Sequence, residues 1–267
     1  MSGGAPVVPP VPVACSVPSA AMTSPGSPLD LPAPDVAVAG APSRPAAGDH
    51  RNHVVWDWNG TLFDDHHLVV DALNHVLDDV GLPPTDAATY QRLYTRPVHV
   101  FYERVFGRPI DATEWARVDD LFHVGYKLAL QHADLAVDAH EVLDRVEAGG
   151  HTQSLLSMYR HEELVPLVDR FGIAERFTMI DGLRGTGGGQ KAPEMAAHLA
   201  GLVHLEGADP ARIVVIGDAL DDAAAAAHVG VRCVLYDGGS HPRAELEATG
   251  VPVASSLTEA LQVAGLH

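Results

Sequence analysis

The chain has 267 residues, 46% of them apolar, and a formal net charge of -18. That length holds one large domain or two modest ones, and that apolar share can fill a real core. The acidic balance, without any Lys/Arg block to track a phosphate backbone, argues against a nucleic-acid partner. Its 16 histidines change that balance only below about pH 6.5. Cys15 and Cys233 form no CxxC, zinc or disulfide framework, which fits a reducing, cytoplasmic setting. No run of about 18 apolar residues is free of charge and proline, so no membrane span is expected.

Residues 1–50 stand apart. They hold 11 of the 20 prolines, mixed with Ala, Val, Gly and Ser, the composition of a disordered, polyproline-like extension. Prolines at 6, 9, 10, 12 and 18 would interrupt the apolar stretch of a signal peptide, and no basic residue precedes Arg44. From residue 53 onward, strands and helices alternate. Residues 53–56 read as a buried strand, and 66–81 as a helix ending at Gly81 with Pro83-Pro84 as its stop. Helical stretches then run to about 138, broken near Pro83, Pro97 and Pro109, with no convincing strand. A short helix at 140–147, a strand at 152–157, a helix at 162–171 and a strand at 177–180 follow. The glycine-rich loop 182–189 leads to Lys191 and a helix near 193–202. After it come a strand at 212–216, an alanine-rich helix, a strand at 232–236, a helix near 242–248, a short strand at 252–254 and a final helix at 257–264.

Short β-branched runs between helices predict an α/β protein with a parallel sheet covered on both faces. The block at 66–138 breaks the alternation and reads as an insertion after the first strand. The core is then 51–65 plus 139–267, and no internal repeat is present. Ligands of open α/β sheets bind beyond the carboxyl ends of the strands. Asp57, Ser157 and Asp218 fall just past predicted strands and Lys191 in a loop after one, so all four should gather at one edge.

The chemistry of those residues is coherent. Asp57 is a carboxylate held rigidly at a strand end, a good place for a nucleophile. The Ser157 hydroxyl and nearby backbone N–H groups can hold a phosphate oxygen. The Lys191 ammonium can neutralise an attacking carboxylate and a phosphoryl group together. The acids of Gly217-Asp218-Ala219-Leu220-Asp221-Asp222 suit a hard divalent cation, which takes oxygen ligands.

In this order, Asp57-Trp58-Asn59-Gly60-Thr61, Ser157, Lys191 and Gly217-Asp218-x-x-x-Asp222 resemble the motifs of the haloacid dehalogenase superfamily. Within it, the chain is similar to the phosphatases like phosphoglycolate phosphatase. The resemblance covers about residues 53–265. It implies a doubly wound, Rossmann-type parallel sheet with a helical cap at 66–138. It also implies a Mg²⁺-dependent phosphatase, acting on a small phosphorylated metabolite as a monomer or homodimer. Asp57 would become an aspartyl-phosphate. The Asp57 carboxylate, the backbone carbonyl of Asn59 and Asp218 would hold Mg²⁺, with Asp222 supporting the metal waters or Lys191 and Asp221 a lesser helper. Thr61, Ser157 and Lys191 would bind the phosphoryl group.

Asn59 departs from the family pattern, which has a second aspartate there as proton donor and base. Asn59 keeps its backbone carbonyl but cannot exchange protons, a function worth about 10²–10⁴-fold in rate. The candidates to replace it are His66, His67 and His99, while Asp64 and Asp65 read as acids at the hinge into the insertion. A substrate with a good leaving group, or a slow protein that serves by binding, would also answer the departure. Arg96, Tyr102 and Arg104 lie in the insertion, and Arg96, beside Pro97, is the best candidate for a specificity contact. The rival readings are a metal-independent dehalogenase and a phosphate-ligand-binding regulatory protein. Gly185–Lys191 fails as a P-loop, because Gln190 and Ala192 stand where Gly and Ser/Thr are required. Trp58 should point away from the site into the core.

Overall fold

The computed structural model describes residues 51–95, 97–184 and 190–267. The readings that fall on 1–50, on Arg96 and on the glycine run 185–189 lie outside the described residues.

Six parallel strands make the central sheet, in the order β5-β4-β1-β6-β7-β8. They are β1 (His53–Trp56), β4 (Thr152–Arg160), β5 (Ile180–Leu183), β6 (Ile213–Gly217), β7 (Arg232–Tyr236) and β8 (Val253–Ala254). The apolar runs His-Val-Val-Trp in β1 and Ile-Val-Val-Ile-Gly in β6 are buried throughout, as strands covered on both faces must be. Alternation along each strand divides two cores. Val54, Trp56, Leu155, Val214 and Ile216 face one layer, with α5 (Ala139–Ala148), α6 (His161–Arg170) and α10 (Leu257–Val263). Val55, Leu156, Ile213 and Val215 face the other, with α7 (Lys191–Glu206) and α8 (Leu220–Val229). Small Ala225 and Ala226 are buried there, which lets α8 lie close to the sheet. The sheet is therefore doubly wound. The chain leaves β1 toward β4 and β5 and later returns to β6 on the other side, so β1 sits at the switch point where such sheets bind ligands.

Between β1 and β4 stand α1 (His66–Asp79), α2 (Ala87–Leu93), α3 (Val98–Phe106) and α4 (Ala112–Ala129). Asp86 and Asp111 cap α2 and α4 by accepting backbone N–H groups. These helices enclose their own core, which includes Leu73, Val76, Leu77, Phe101 and Val118. They are entered and left through an antiparallel ribbon of β2 (Phe63–Asp64) and β3 (Asp134–Leu135). The expectation of no strand in this region is thus corrected. β3 is two residues long and forms only against β2, so no local run of residues announces it. α2 touches the sheet domain, where Gln91 Nε2 donates to the Gly239 carbonyl at 2.8 Å and Tyr94 meets the His241 ring edge-on.

Other corrections are small. β5 lies at Ile180–Leu183, not 177–180. Phe177, which suggested a strand, is instead buried in the core directly after a 3-10 turn at Ala174–Arg176. Lys191 opens α7 rather than preceding it in a loop. Trp58 is fully buried and stacked on Phe63 at 4.9 Å, as strand alternation predicts.

A buried polar chain crosses the sheet. His53 Nδ1 meets Thr152 Oγ1 at 2.7 Å and its Nε2 meets Ser154 Oγ at 2.8 Å. Ser154 Oγ meets His198 Nε2 at 2.8 Å, and His198 Nδ1 meets Asp181 Oδ2 at 2.8 Å. The Ser-His-Asp sequence of contacts has no catalytic reach, because Ser154 is wholly buried within β4. Burial, reinforced by nearby His198, lowers the pKa of His53 from 6.5 to about 3. The unfolded chain binds a proton at His53 below pH 6.5 and the folded chain does not until about pH 3. Stability is therefore full above that window and falls on acidification through it, by up to about 1.4 kcal/mol per pH unit from this one group. Urea midpoints measured from pH 7 to pH 4 should show that slope, and His53→Gln should flatten it.

Candidate active site

The switch point delivers Asp57 first. Its backbone N–H continues the sheet ladder to the Ile216 carbonyl at 2.8 Å, so the strand itself fixes the carboxylate. Lys191, at the start of α7, places Nζ 2.6 Å from Asp57 Oδ1 and 2.5 Å from Asp222 Oδ1. Asp218 follows β6, and its Oδ2 accepts the Ser240 N–H at 2.7 Å. Ligand oxygens of Asp57, Asp218 and Asp222 all lie within 4.8 Å of one another. The four side chains are buried, none more than a tenth exposed. Glycines allow this crowding. Gly60 takes φ +71°, and a Cβ there would sit 2.7 Å from Asp218 Oδ2. A Cβ on Gly239 would come within 2.0 Å of the same oxygen.

The charges do not balance within the protein. Three buried carboxylates surround one ammonium. Burial raises the Asp57 pKa to about 6, with Lys191 pulling it down and Asp222 pushing it up. Burial and the charges of Asp57 and Asp222 drive Asp218 well above the carboxylate range. Burial opposes the Lys191 ammonium, yet Asp222 and Asp57 outweigh it and hold its pKa above normal. An oxygen cluster this short of positive charge fits a hard divalent cation.

Ser157 lies one strand over. Its Oγ accepts the Tyr159 N–H at 3.0 Å and donates toward Asn59 Oδ1 at 3.4 Å. The Thr61 hydroxyl donates toward Asp218 Oδ1 at 3.5 Å. Asp57, Asn59, Thr61, Ser157, Lys191, Asp218 and Asp222 are thus brought together at one sheet edge.

The other side of Asn59 faces Asp65. Asn59 Nδ2 donates to Asp65 Oδ2 at 2.7 Å and to the Tyr126 hydroxyl at 3.1 Å. Tyr126 donates its own hydrogen to Asp65 Oδ2 at 2.5 Å, and the Gly60 N–H donates to Asp65 Oδ1 at 2.9 Å. Asp65 is 3% exposed, and burial raises its pKa against these donors. Sequence reasoning placed Asp65 only at a hinge and missed Tyr126. A doubled acid at 64–65 was the sole local signal, and nothing in the sequence ties α4 to residue 59.

The remaining candidates scatter. His67 is exposed beside Asp64 at 3.9 Å. His99 meets Trp115 among the helices. His66 packs edge-on against Tyr90 at 5.3 Å, its Nε2 buried without a hydrogen-bond partner among the described residues. Burial lowers the His66 pKa, opposed by Asp65 and Asp64. Tyr102 is buried in the helical core, and Arg104 donates to the Leu93 carbonyl at 3.4 Å. Tyr102 therefore serves the packing of that core, while Arg104 lies exposed on its helix.

A family model described as haloacid dehalogenase-like hydrolase matches residues 52–230. A phosphoglycolate phosphatase of Agrobacterium fabrum is 26% identical over 203 residues, 72% of this chain and 84% of that protein. A haloacid dehalogenase-like hydrolase from Streptococcus pneumoniae superposes with a TM-score of 0.66 at 18% identity, covering 80% of this chain and 98% of its own. Protein Tyrosine Kinase A of Mycobacterium tuberculosis superposes at 0.64 with 21% identity, covering 82% of this chain and 100% of its own. Among the described residues no helix is long and apolar enough to cross a membrane. The match over most of the folded chain, the strand-end aspartate and the doubly wound sheet make one assignment: the chain belongs to the haloacid dehalogenase-like hydrolases and is similar to the phosphoglycolate phosphatases.

Proposed function

We propose that the protein is a divalent-cation-dependent phosphatase that acts on a small phosphorylated metabolite through an aspartyl-phosphate on Asp57. The observation that carries the reading is Lys191 Nζ bridging Asp57 and Asp222, with Asp218 in the same cluster. Asp57 Oδ attacks phosphorus while the bond to the leaving oxygen breaks. Lys191 offsets the charge of the attacking carboxylate and of the phosphoryl oxygens, and Thr61 and Ser157 offer hydroxyls to those oxygens. Asp57, Asp218 and the Asn59 carbonyl would hold Mg²⁺, which supplies further neutralisation of phosphoryl charge, while Asp222 anchors Lys191. The helices at 66–138 act as a cap that covers the site and carries substrate contacts, with Arg96 among the candidates. The acidic cluster also disfavours the dehalogenase reading, since displacement at carbon has no use for a cation site.

A second reading has support from Asn59. Without a base to activate water, the aspartyl-phosphate lasts longer and can pass its phosphoryl group to an acceptor oxygen that is already anionic, such as a phenolate, which has no proton to lose. The neighbour named Protein Tyrosine Kinase A shares the fold and gives that reading a precedent in name only.

The experiment is a screen of phosphomonoesters with MgCl₂, or with EDTA, reading inorganic phosphate. Phosphate release that EDTA abolishes and Mg²⁺ restores is expected. Chloride release from 2-chloropropionate without metal, and no phosphate from any ester, would overturn the proposal in favour of the dehalogenase.

A further inference from the structure

From the hydrogen bonding of Asn59 we infer the class of phosphoryl donor: this site cleaves phosphoryl groups from leaving groups of low basicity, namely aryl phosphates, acyl phosphates and phosphoanhydrides, and spares simple alkyl phosphates. The inference rests on the phosphoryl-transfer reading of Asp57 above.

A carboxamide carries two N–H hydrogens and one acceptor oxygen. The Asn59 NH₂ end is turned toward the Asp65–Tyr126 pair, with Nδ2 2.7 Å from Asp65 Oδ2 and 3.1 Å from the Tyr126 oxygen. The assignment of the two amide ends follows from the partners. An oxygen turned toward the Asp65 carboxylate would face another acceptor, whereas the NH₂ end satisfies it. Tyr126 cannot reverse its role, because its single hydrogen already goes to Asp65. The Gly60 N–H holds the second Asp65 oxygen at 2.9 Å. Asp65 and Tyr126 are therefore positioning residues. They hold Asn59 with its NH₂ away from the reaction and its Oδ1 toward Ser157, 3.4 Å from that hydroxyl.

What the phosphoryl pocket meets at position 59 is an acceptor alone. When Asp57 Oδ bonds to phosphorus and the P–O bond to the leaving group breaks, that oxygen takes the electron pair. No proton can come to it from Asn59, so it departs as an anion. An alkoxide is too basic to leave this way at a useful rate. A phenolate, a carboxylate or a phosphate is not. The proton an acid would have supplied is worth about 10²–10⁴-fold, and that factor should reappear as discrimination between leaving groups. His66, next to Asp65 in the chain, is a second group to examine. Its ring lies against Tyr90, with Nε2 buried and unpartnered among the described residues, so it is included in the test.

The test measures kcat/KM with Mg²⁺ for a series of substituted phenyl phosphates, acetyl phosphate, ATP and pyrophosphate, and for the alkyl esters phosphoglycolate and glycerol phosphate. A steep fall with leaving-group basicity is expected, the alkyl esters lying at least about 10²-fold below the aryl and acyl donors. ATP, acetyl phosphate and the aryl series separate the three sources of the same chemistry. The double variant Asn59→Asp/Asp65→Asn keeps one amide against one carboxylate, so the pair still hydrogen-bonds while the acid moves to the pocket. It should raise kcat for alkyl esters relative to aryl donors, so that the gap between the two classes narrows by about 10-fold or more. Alkyl esters cleaved as fast as aryl ones, or a gap the exchanged pair leaves unchanged, would overturn the inference. A shallow dependence that steepens in His66→Gln would do the same and name His66 as the acid. If no donor of any class releases phosphate, the phosphoryl-transfer reading itself falls, a result distinct from a flat series.

Discussion

Lys191→Met is expected to lower folding stability by about 3–5 kcal/mol and to abolish turnover. The side chain is 4% exposed and stands between Asp57 and Asp222 at 2.6 and 2.5 Å. Methionine fills most of the volume, so little of the loss comes from a cavity. The loss comes from leaving buried Asp57 and Asp222 without the ammonium they share, beside buried Asp218. Two outcomes follow in urea titrations at pH 7.5. The midpoint falls sharply in EDTA, and MgCl₂ restores more stability to the variant than to the parent, because a cation on the same oxygens then replaces the missing ammonium. A variant as stable as the parent in EDTA would show that the cluster is not strained by charge.

Asp57→Asn should act in the opposite sense on stability and still more strongly on activity. Loss of the nucleophile should reduce phosphate release by about 10⁴-fold or more. Yet burial raises the Asp57 pKa from 3.8 to about 6 in the folded protein. A carboxyl whose folded pKa lies above its unfolded value destabilises the fold above that window, where it must be ionised in both states. The amide removes that penalty, so in EDTA at pH 7.5 the variant should be more stable by about 1–2 kcal/mol. Below pH 4 the difference should vanish, since both forms are then neutral. Lost function with gained stability separates this residue from one that serves the fold; a variant both inactive and less stable would place Asp57 among the structural residues.

Much of this was open to reading in the sequence, for physical reasons. β1, β6 and β7 each carry a short apolar run, Val54–Trp56, Ile213–Ile216 and Cys233–Tyr236, and such runs end legibly just before Asp57, Asp218 and Asp237. Each motif residue then needed only its place just past a strand. β3 was hidden because a two-residue strand has no periodicity of its own. β5 was displaced because Phe177 is apolar for the core and not for the sheet. The deeper omission concerns Asn59. Its identity was evident, but its orientation is set by Tyr126, 67 positions away on α4. Asp65 is near in sequence and yet looked like an ordinary hinge acid. Only the folded chain shows that the substitution at 59 has a carboxylate directly behind it.

The contact of α2 with the sheet domain has a mechanical side. Gln91 holds the carbonyl of Gly239 at 2.8 Å, and the N–H of Ser240 holds Asp218 at 2.7 Å. That carbonyl and that N–H belong to one peptide group, which is planar and stiff. A single rigid plate thus has the inserted helices on its oxygen and the Asp218 carboxylate on its nitrogen. Any swing of α2 that keeps its grip must tilt the plate and turn the Asp218 carboxylate with it. Movement of the inserted helices and the aim of the Asp218 carboxylate are therefore geared together through one amide bond.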